Sequence, residues 1–297
     1  MNDETEISIN DLFKILLKSW KLIVFNFTLF SILSILYTLS IYNEYRAGST
    51  LIPNTLIDSS GVGSSSGLGG LASIAGIGNG SGSSNEVILA KEIMQSQEFI
   101  KNFVRKNNIL IETIAVKGWD SKSNRLVIDN KIFDEDKKIW IKGEPSDFGI
   151  FEEFSQRINI SEDKKTSIVS ISIEYYSPQI AKKWVELYVA EINEHMRKRK
   201  LLITNRNLES LEFAIQKPSS QVTNESLSRL IYEQQRTKML AEATPEYVFE
   251  TINPPVLPEK KSKPSRAIVV IISAFTGAFL SIFWALCKNL YLNNKRH

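Results

Sequence analysis

Two strongly apolar stretches carry no charged side chain, Leu22 to Asn43 and Ala267 to Cys287, and both are filled mainly by Leu, Ile, Val, Phe and Ala. A helix rises ~1.5 Å per residue, so about 20 residues cover the roughly 30 Å of a bilayer's hydrocarbon. The pattern therefore predicts membrane spans over 22–43 and 267–287. Trp20, Tyr42 and Tyr45 bracket the first, and Trp284 and Tyr291 lie near the end of the second, as amphipathic rings do at headgroup level. A buried core helix is the competing reading, and the run lengths weigh against it. A cleaved signal peptide fits poorly, because the first apolar stretch starts late, is too long, and is followed by no small-residue cleavage pattern.

Between the spans the periodicity changes repeatedly. "EYRAGSTLIP" has strand-like content and stops at Pro53, after which residues 58–85 are almost all Gly, Ser and small apolar residues. Such a segment buries too little side chain to offset its ordering entropy and reads as a loop. From Glu86 the pattern is helical, with Ser96 placed to cap a second helix. "KTSIVSISIEYY" alternates, with Val169, Ile171, Ile173 and Tyr175 on one face and Ser170, Ser172 and Glu174 on the other, the mark of a half-buried strand. Pro178 opens a helical pattern running to Gln216, with Trp184, Leu187, Ile192, Met196, Ile203 and Leu208 at mostly three- and four-residue gaps. Lys217, Pro218, Ser219 and Ser220 break it, a shorter helix follows to about Ala243, and "EYVFETIN" reads as a returning strand. The fold class is α+β: terminal transmembrane helices flank an α/β domain with a long extended helix. Strand content beside both spans predicts that the two ends of that domain pair in one sheet.

Charge sets the expected orientation. Lys14, Lys18 and Lys21 precede the first span and only Arg46 closely follows it, so the positive-inside bias puts residues 1–21 in the cytoplasm. A second span returns residues 288–297 to the same side and leaves 44–266 exported. The only cysteine, Cys287, sits at the inner end of the second span. With a formal net charge of +3 the chain reads as an ordinary folded protein, and no nucleic-acid partner is expected.

Chemistry is sparse. The Gly-rich loop lacks the Gly-Lys-Ser/Thr of a phosphate cradle, and His-Glu-x-x-His is missing. His195 has no second histidine or cysteine four residues away and reads as a surface histidine. Adjacent acids such as Asp134, Glu135 and Asp136, or Glu152 and Glu153, read as solvated charge. No catalytic residue, metal ligand or cofactor site is expected. Two constellations remain. Arg197, Lys198, Arg199 and Lys200, spread around the long helix, are a candidate contact for glycan or for a neighbouring subunit. Ser273, Gly277 and Ser281 recur every four residues in the second span, beside Ala274 and Ala278, and predict a flat face for a partner helix. The apolar patch "LGGLASIAGI" within the loop is a candidate subunit contact.

Taken in order, "ISINDLFKILLKSWKLI", "LGGLASIAG", "SQEFI", "SEDKKTSIVSISIEYYSPQIAKKWVELYVAEIN" and "NPPVLPEKKSKPSRAIVV" resemble the polysaccharide co-polymerases, the chain length determinant proteins of the Gram-negative inner membrane. The last two stretches are the most specific. The resemblance implies a homo-oligomeric ring whose periplasmic domains form a bell. It implies association with the inner-membrane polymerase that adds lipid-linked repeat units, and control of the modal length of O-antigen or a related polysaccharide. The family's proline-rich motif over 254–264 falls here on Pro255, Pro258, Ser262 and Pro264, with Lys263 and Arg266 as its basic part. Lys261 stands where many members carry another proline. A kinase-bearing branch of the family runs on well past the second span, and this sequence reads as the kinase-free branch.

Each proline fixes its own φ and biases the preceding residue toward extended geometry, so this approach to the second span reads as a semi-rigid strut. Lys260, Lys261, Lys263 and Arg266 are placed to meet lipid headgroups. A non-catalytic regulator of polymerisation is the first functional reading. A two-span sensor signalling through a partner is the alternative, since only short cytoplasmic tails are available for output. A membrane-anchored glycan hydrolase would need an acid pair that the sequence does not mark.

Overall fold

A computed structural model describes residues 19–54, 82–217 and 221–294. In chain order its elements are α1 (Trp20–Ser40), β1 (Glu44–Pro53), α2 (Gly82–Gln95), α3 (Gln97–Lys106), α4 (Leu110–Ile114), β2 (Val116–Asp120), β3 (Arg125–Ile128), β4 (Phe133–Asp134) and β5 (Ile139–Trp140). They continue with α5 (Asp147–Ser155), β6 (Ile158–Asp163), β7 (Ile168–Tyr175), α6 (Pro178–Ile215), α7 (Gln221–Ala243), β8 (Phe249–Asn253), β9 (Lys261–Lys263) and α8 (Arg266–Asn294). This is a mixed helix and sheet protein with apolar helices near both termini and a long helix between them. Most of the expected 58–85 loop lies outside the described residues, but α2 begins at Gly82, ahead of the periodicity that starts at Glu86. The first turn of a helix makes few internal bonds and tolerates Gly, Ser and Asn, so the apolar period starts later than the helix.

The chain forms two compact units, Glu44–Lys260 and the combination of Met1–Asn43 with Lys261–His297. In the larger unit the strand order is β6-β7-β1-β8, every neighbouring pair antiparallel. The two ends of this unit do meet in one sheet, with Leu51 of β1 opposite Thr251 of β8 and Pro53 opposite Phe249. Val169, Ile171, Ile173 and Tyr175 turn inward as their alternation predicts. Gly48 sits where strands crowd: a Cβ there would lie 3.3 Å from the Ile171 carbonyl oxygen.

The first half of α6 lays Trp184, Tyr188 and Ile192 into the core. The Tyr188 ring meets Phe99 and Phe103 of α3 at 5.3 and 4.8 Å, and Trp184 lies 4.4 Å from Tyr175. Burial pushes the phenols of Tyr175 and Tyr188 above their usual range, so both stay protonated, donating to the carbonyls of Glu112 and Met94. Ser96 caps α3 as expected, accepting from the Phe99 amide at 3.3 Å.

Beyond Leu201, α6 leaves this core. Only Thr204 and Leu208 are buried in its second half, where α7 is its neighbour and Asn207 Nδ2 donates to Gln234 Oε1 at 3.4 Å. Ile203, expected on the inward stripe, is 41% exposed, because a single narrow helix replaces the sheet as the facing surface.

In the smaller unit α1 packs along α8. Arg266, at the start of α8, donates from its NH2 nitrogen to Asn43 Oδ1 at 3.2 Å, just past the end of α1, so the two helices run in opposite directions. Most of their apolar side chains point outward: Phe279 is 70% exposed and Phe275 68%. A core helix of a soluble protein hides such side chains, whereas these helices have the length, composition and exposure of membrane spans.

Candidate functional site

Four places were marked by the sequence; the apolar patch over residues 68–77 lies outside the described residues, and the structure treats the other three differently. In the basic run on α6, Glu194 lies three and four residues before Arg197 and Lys198, the spacing at which side chains meet on one helix face. Arg197 donates twice to its carboxylate, at 2.6 and 2.9 Å, and Lys198 approaches at 3.1 Å. These bonds, chiefly that from Arg197, hold the Glu194 carboxyl below its usual range. Lys200 reaches Glu86 of α2 at 2.7 Å, and Glu86 also accepts from Tyr247 at 3.3 Å. Three of the four cations thus have carboxylate partners, and Arg199, exposed, is the one without an ion pair among the described residues.

His195 is exposed on α6 with its ring edge-on to Phe99 at 5.6 Å. Partial burial lowers its pKa, with Arg199 and Lys198 acting the same way and Glu191 opposing them, so it is neutral at pH 7. Among the described residues there is no metal-ligating cluster.

The proline-rich stretch begins beside a cavity of about 660 Å³ lined by Val189, Asn193, Arg197, Glu246, Pro254 and Pro255, among others. Pro255 is buried, while Val256 and Leu257 immediately after it are 72% and 51% exposed. Asn193 is the polar anchor of this wall. Its Oδ1 accepts from the amides of Val248 and Phe249 at 2.9 Å each, and its Nδ2 donates to the Phe249 carbonyl at 3.0 Å. One buried side chain so replaces a ladder partner for the start of β8. Pro258 and Pro264 are half-buried, as is Ser262, and the Lys263–Pro264 bond is cis. The Arg266 Nε is buried without a hydrogen-bond partner among the described residues.

In α8 the buried stripe is Ala274, Gly277, Ser281 and Ala285, with Ser273 half-buried at its margin. The helix it faces is the chain's own α1, through Phe30, Ser34 and Thr38. The Ser34, Thr38 and Ser281 hydroxyls donate to carbonyls of their own helices, at 3.0, 3.0 and 2.7 Å. Contact between the helices therefore rests on close packing of small residues.

Two features were not read from sequence. Glu174, assigned to the polar face of β7, is 7% exposed and receives the Arg46 guanidinium at 2.7 and 2.8 Å. Its partner is the residue directly opposite in β1, so strand register alone would have revealed it. The second is a cleft around the β4–β5 hairpin, whose two-residue strands are too short to show a period.

Comparison with known proteins adds one firm point. Residues 5–107 match the profile of the family described as Wzz, chain length determinant protein. Over these residues, about a third of the chain, it is similar to the chain length determinant family. The matched part runs through the first apolar helix, the central strand β1, α2 and α3. The proline-rich segment and the "SEDKKTSIVSISIEYY" stretch lie beyond it. No curated protein matches the chain. Among solved structures it is similar to a full-length bacterial polysaccharide co-polymerase, at 11% identity and a TM-score of 0.41 over 96% of this chain and 99% of that one. It is also similar to a fragment of WzzB, a polysaccharide co-polymerase from Salmonella Typhimurium, at 12% identity and a TM-score of 0.31 over 74% of this chain and 100% of that one.

Proposed function

We propose that this protein is a non-catalytic polysaccharide co-polymerase that sets the modal chain length of O-antigen or a related surface polysaccharide. It works as a homo-oligomer in the inner membrane, engages the polymerase there, and handles lipid-linked polysaccharide. Both termini are cytoplasmic and residues 44–266 are periplasmic, in keeping with the lysine excess before the first span. The observation that carries the reading is the match of residues 5–107 to the chain length determinant family.

Other features support it. The α6–α7 hairpin leaves Leu202, Phe213, Tyr232 and Met239 exposed, and apolar surface of this kind favours association between copies. The exposed Val256–Leu257 pair, flanked by prolines, offers a stiff apolar edge for a membrane partner. Arg199, the one cation of the basic run without an ion pair among the described residues, is the candidate for a glycan or subunit contact.

Deleting the gene and resolving surface polysaccharide on a gel tests the proposal. Polymer should persist with its preferred length lost. Complete absence of polymer, or an unaltered ladder, would overturn it.

A further inference from the structure

The β4–β5 hairpin and the turn leading into α5 enclose a cleft of about 550 Å³. Small-molecule sites span about 300–1,000 Å³. One wall is Trp140, which packs against the Phe133 ring at 5.0 Å and is held in place by it. Its indole N–H makes no hydrogen bond among the described residues, whereas Trp119 on the neighbouring hairpin donates to Asn124 Oδ1 at 3.1 Å. Lys131 and Lys142 line the same cleft, and neither ammonium forms an ion pair among the described residues.

The carboxylates of the cleft are already engaged. Glu144 accepts from Arg105 at 2.8 Å, while Asp129 accepts from the Lys131 amide at 3.0 Å and faces the Lys117 ammonium at 3.8 Å. Gly143, at φ +85°, takes a left-handed backbone conformation that favours glycine, and among the described residues nothing lies within 4 Å of the position a Cβ would take. The cleft therefore presents an aromatic wall and three donors without acceptors among the described residues.

From this arrangement we infer that the cleft binds an acidic saccharide. A sugar ring lies against Trp140, and its carboxylate and hydroxyls accept from Lys131, Lys142 and the indole N–H. The C–H face of a pyranose is weakly positive and matches the negative face of an indole. Charge-assisted donors fix the carboxylate more strongly than neutral ones would. An anionic lipid surface fits less well, because Asp134, Glu135 and Asp136 at the hairpin tip offset Lys137 and Lys138. The inference rests on the proposed function for the presence of a polymer and adds the sugar chemistry that function leaves open.

The test is calorimetric titration of the full-length protein in detergent with tetragalacturonate, beside neutral maltotetraose. Tetragalacturonate should bind, and maltotetraose more weakly. Trp140→Ala, and separately the pair Lys131→Gln with Lys142→Gln, should each weaken tetragalacturonate binding at least about tenfold. The pair Lys137→Gln with Lys138→Gln, an equal charge change at the hairpin tip, should alter it by less than about twofold. Trp140→Phe keeps an aromatic wall and should retain more binding than Trp140→Ala, which separates loss of stacking from loss of the hairpin. Failure of tetragalacturonate to bind, or equal weakening by the tip and cleft lysine pairs, overturns the inference. Because binding is read on purified protein, that failure leaves the gel test of chain-length control standing.

Discussion

The ring of Phe30 fills the space beside Gly277: a Cβ on Gly277 would fall 2.8 Å from Phe30 Cγ and 2.9 Å from Cβ and Cδ2. In lipid, helices gain from close packing rather than from excluding water, so this contact bears directly on pairing of α1 and α8. Gly277→Leu should destabilise the pair by about 1–3 kcal/mol, the usual penalty for overpacking. Phe30→Ala in the same chain should restore part of the loss. Resistance of the detergent-solubilised protein to unfolding by SDS measures both, and a double variant no better than Gly277→Leu alone would deny the contact.

Asn193 offers a sharper test of the larger unit. It is 2% exposed and bonds two amides and one carbonyl at the start of β8. Asn193→Ala strands these groups in the interior and should cost roughly 3 kcal/mol. Chemical denaturation of the full chain reads this as a lower midpoint. An unchanged midpoint would mean that water replaces the side chain without penalty.

Stability should also depend on pH through His195. Its folded pKa lies below the ordinary value of about 6.5 because burial disfavours the imidazolium. Between the folded pKa and that ordinary value the unfolded chain binds more protons, so stability rises with pH there. The contribution is complete above about pH 6.5 and is lost as the pH falls through the folded pKa. His195→Phe should flatten the acid limb of a melting-temperature profile between about pH 6.5 and 5. A slope identical to that of the parent protein would assign the acid sensitivity elsewhere.

The proline-rich stretch is tested in cells. Pro255, Pro258 and Pro264, changed together to Ala, should loosen the segment and shorten or broaden the polysaccharide ladder at unchanged protein level. A ladder of unchanged shape would remove this segment from length control.

Much of this architecture follows from local pattern. Uncharged apolar runs mark α1 and α8, alternation marks β7, and the period after Pro178 marks α6 to within a residue of its end. Contacts between distant segments do not show in such patterns. Glu174 looks like a solvent-facing residue until β1 brings Arg46 opposite it. Asn193 looks like any polar residue beside Ile192 until β8 arrives against it. The small stripe of α8 was readable as a packing face, but not that its partner is α1 of the same chain. The basic run is the reverse case: Glu194 stands three and four residues before Arg197 and Lys198, so their neutralisation was legible in the spacing. The Trp140 cleft is built from strands two residues long and loops, where no periodicity exists to read.

The central claim is that α1 and α8 cross one bilayer and hold residues 44–266 on its outer side. Protease added to intact spheroplasts, with epitope tags on both termini, measures this directly. The account predicts cleavage within residues 90–250 and survival of both tags. Loss of either tag, with residues 90–250 protected, would contradict it.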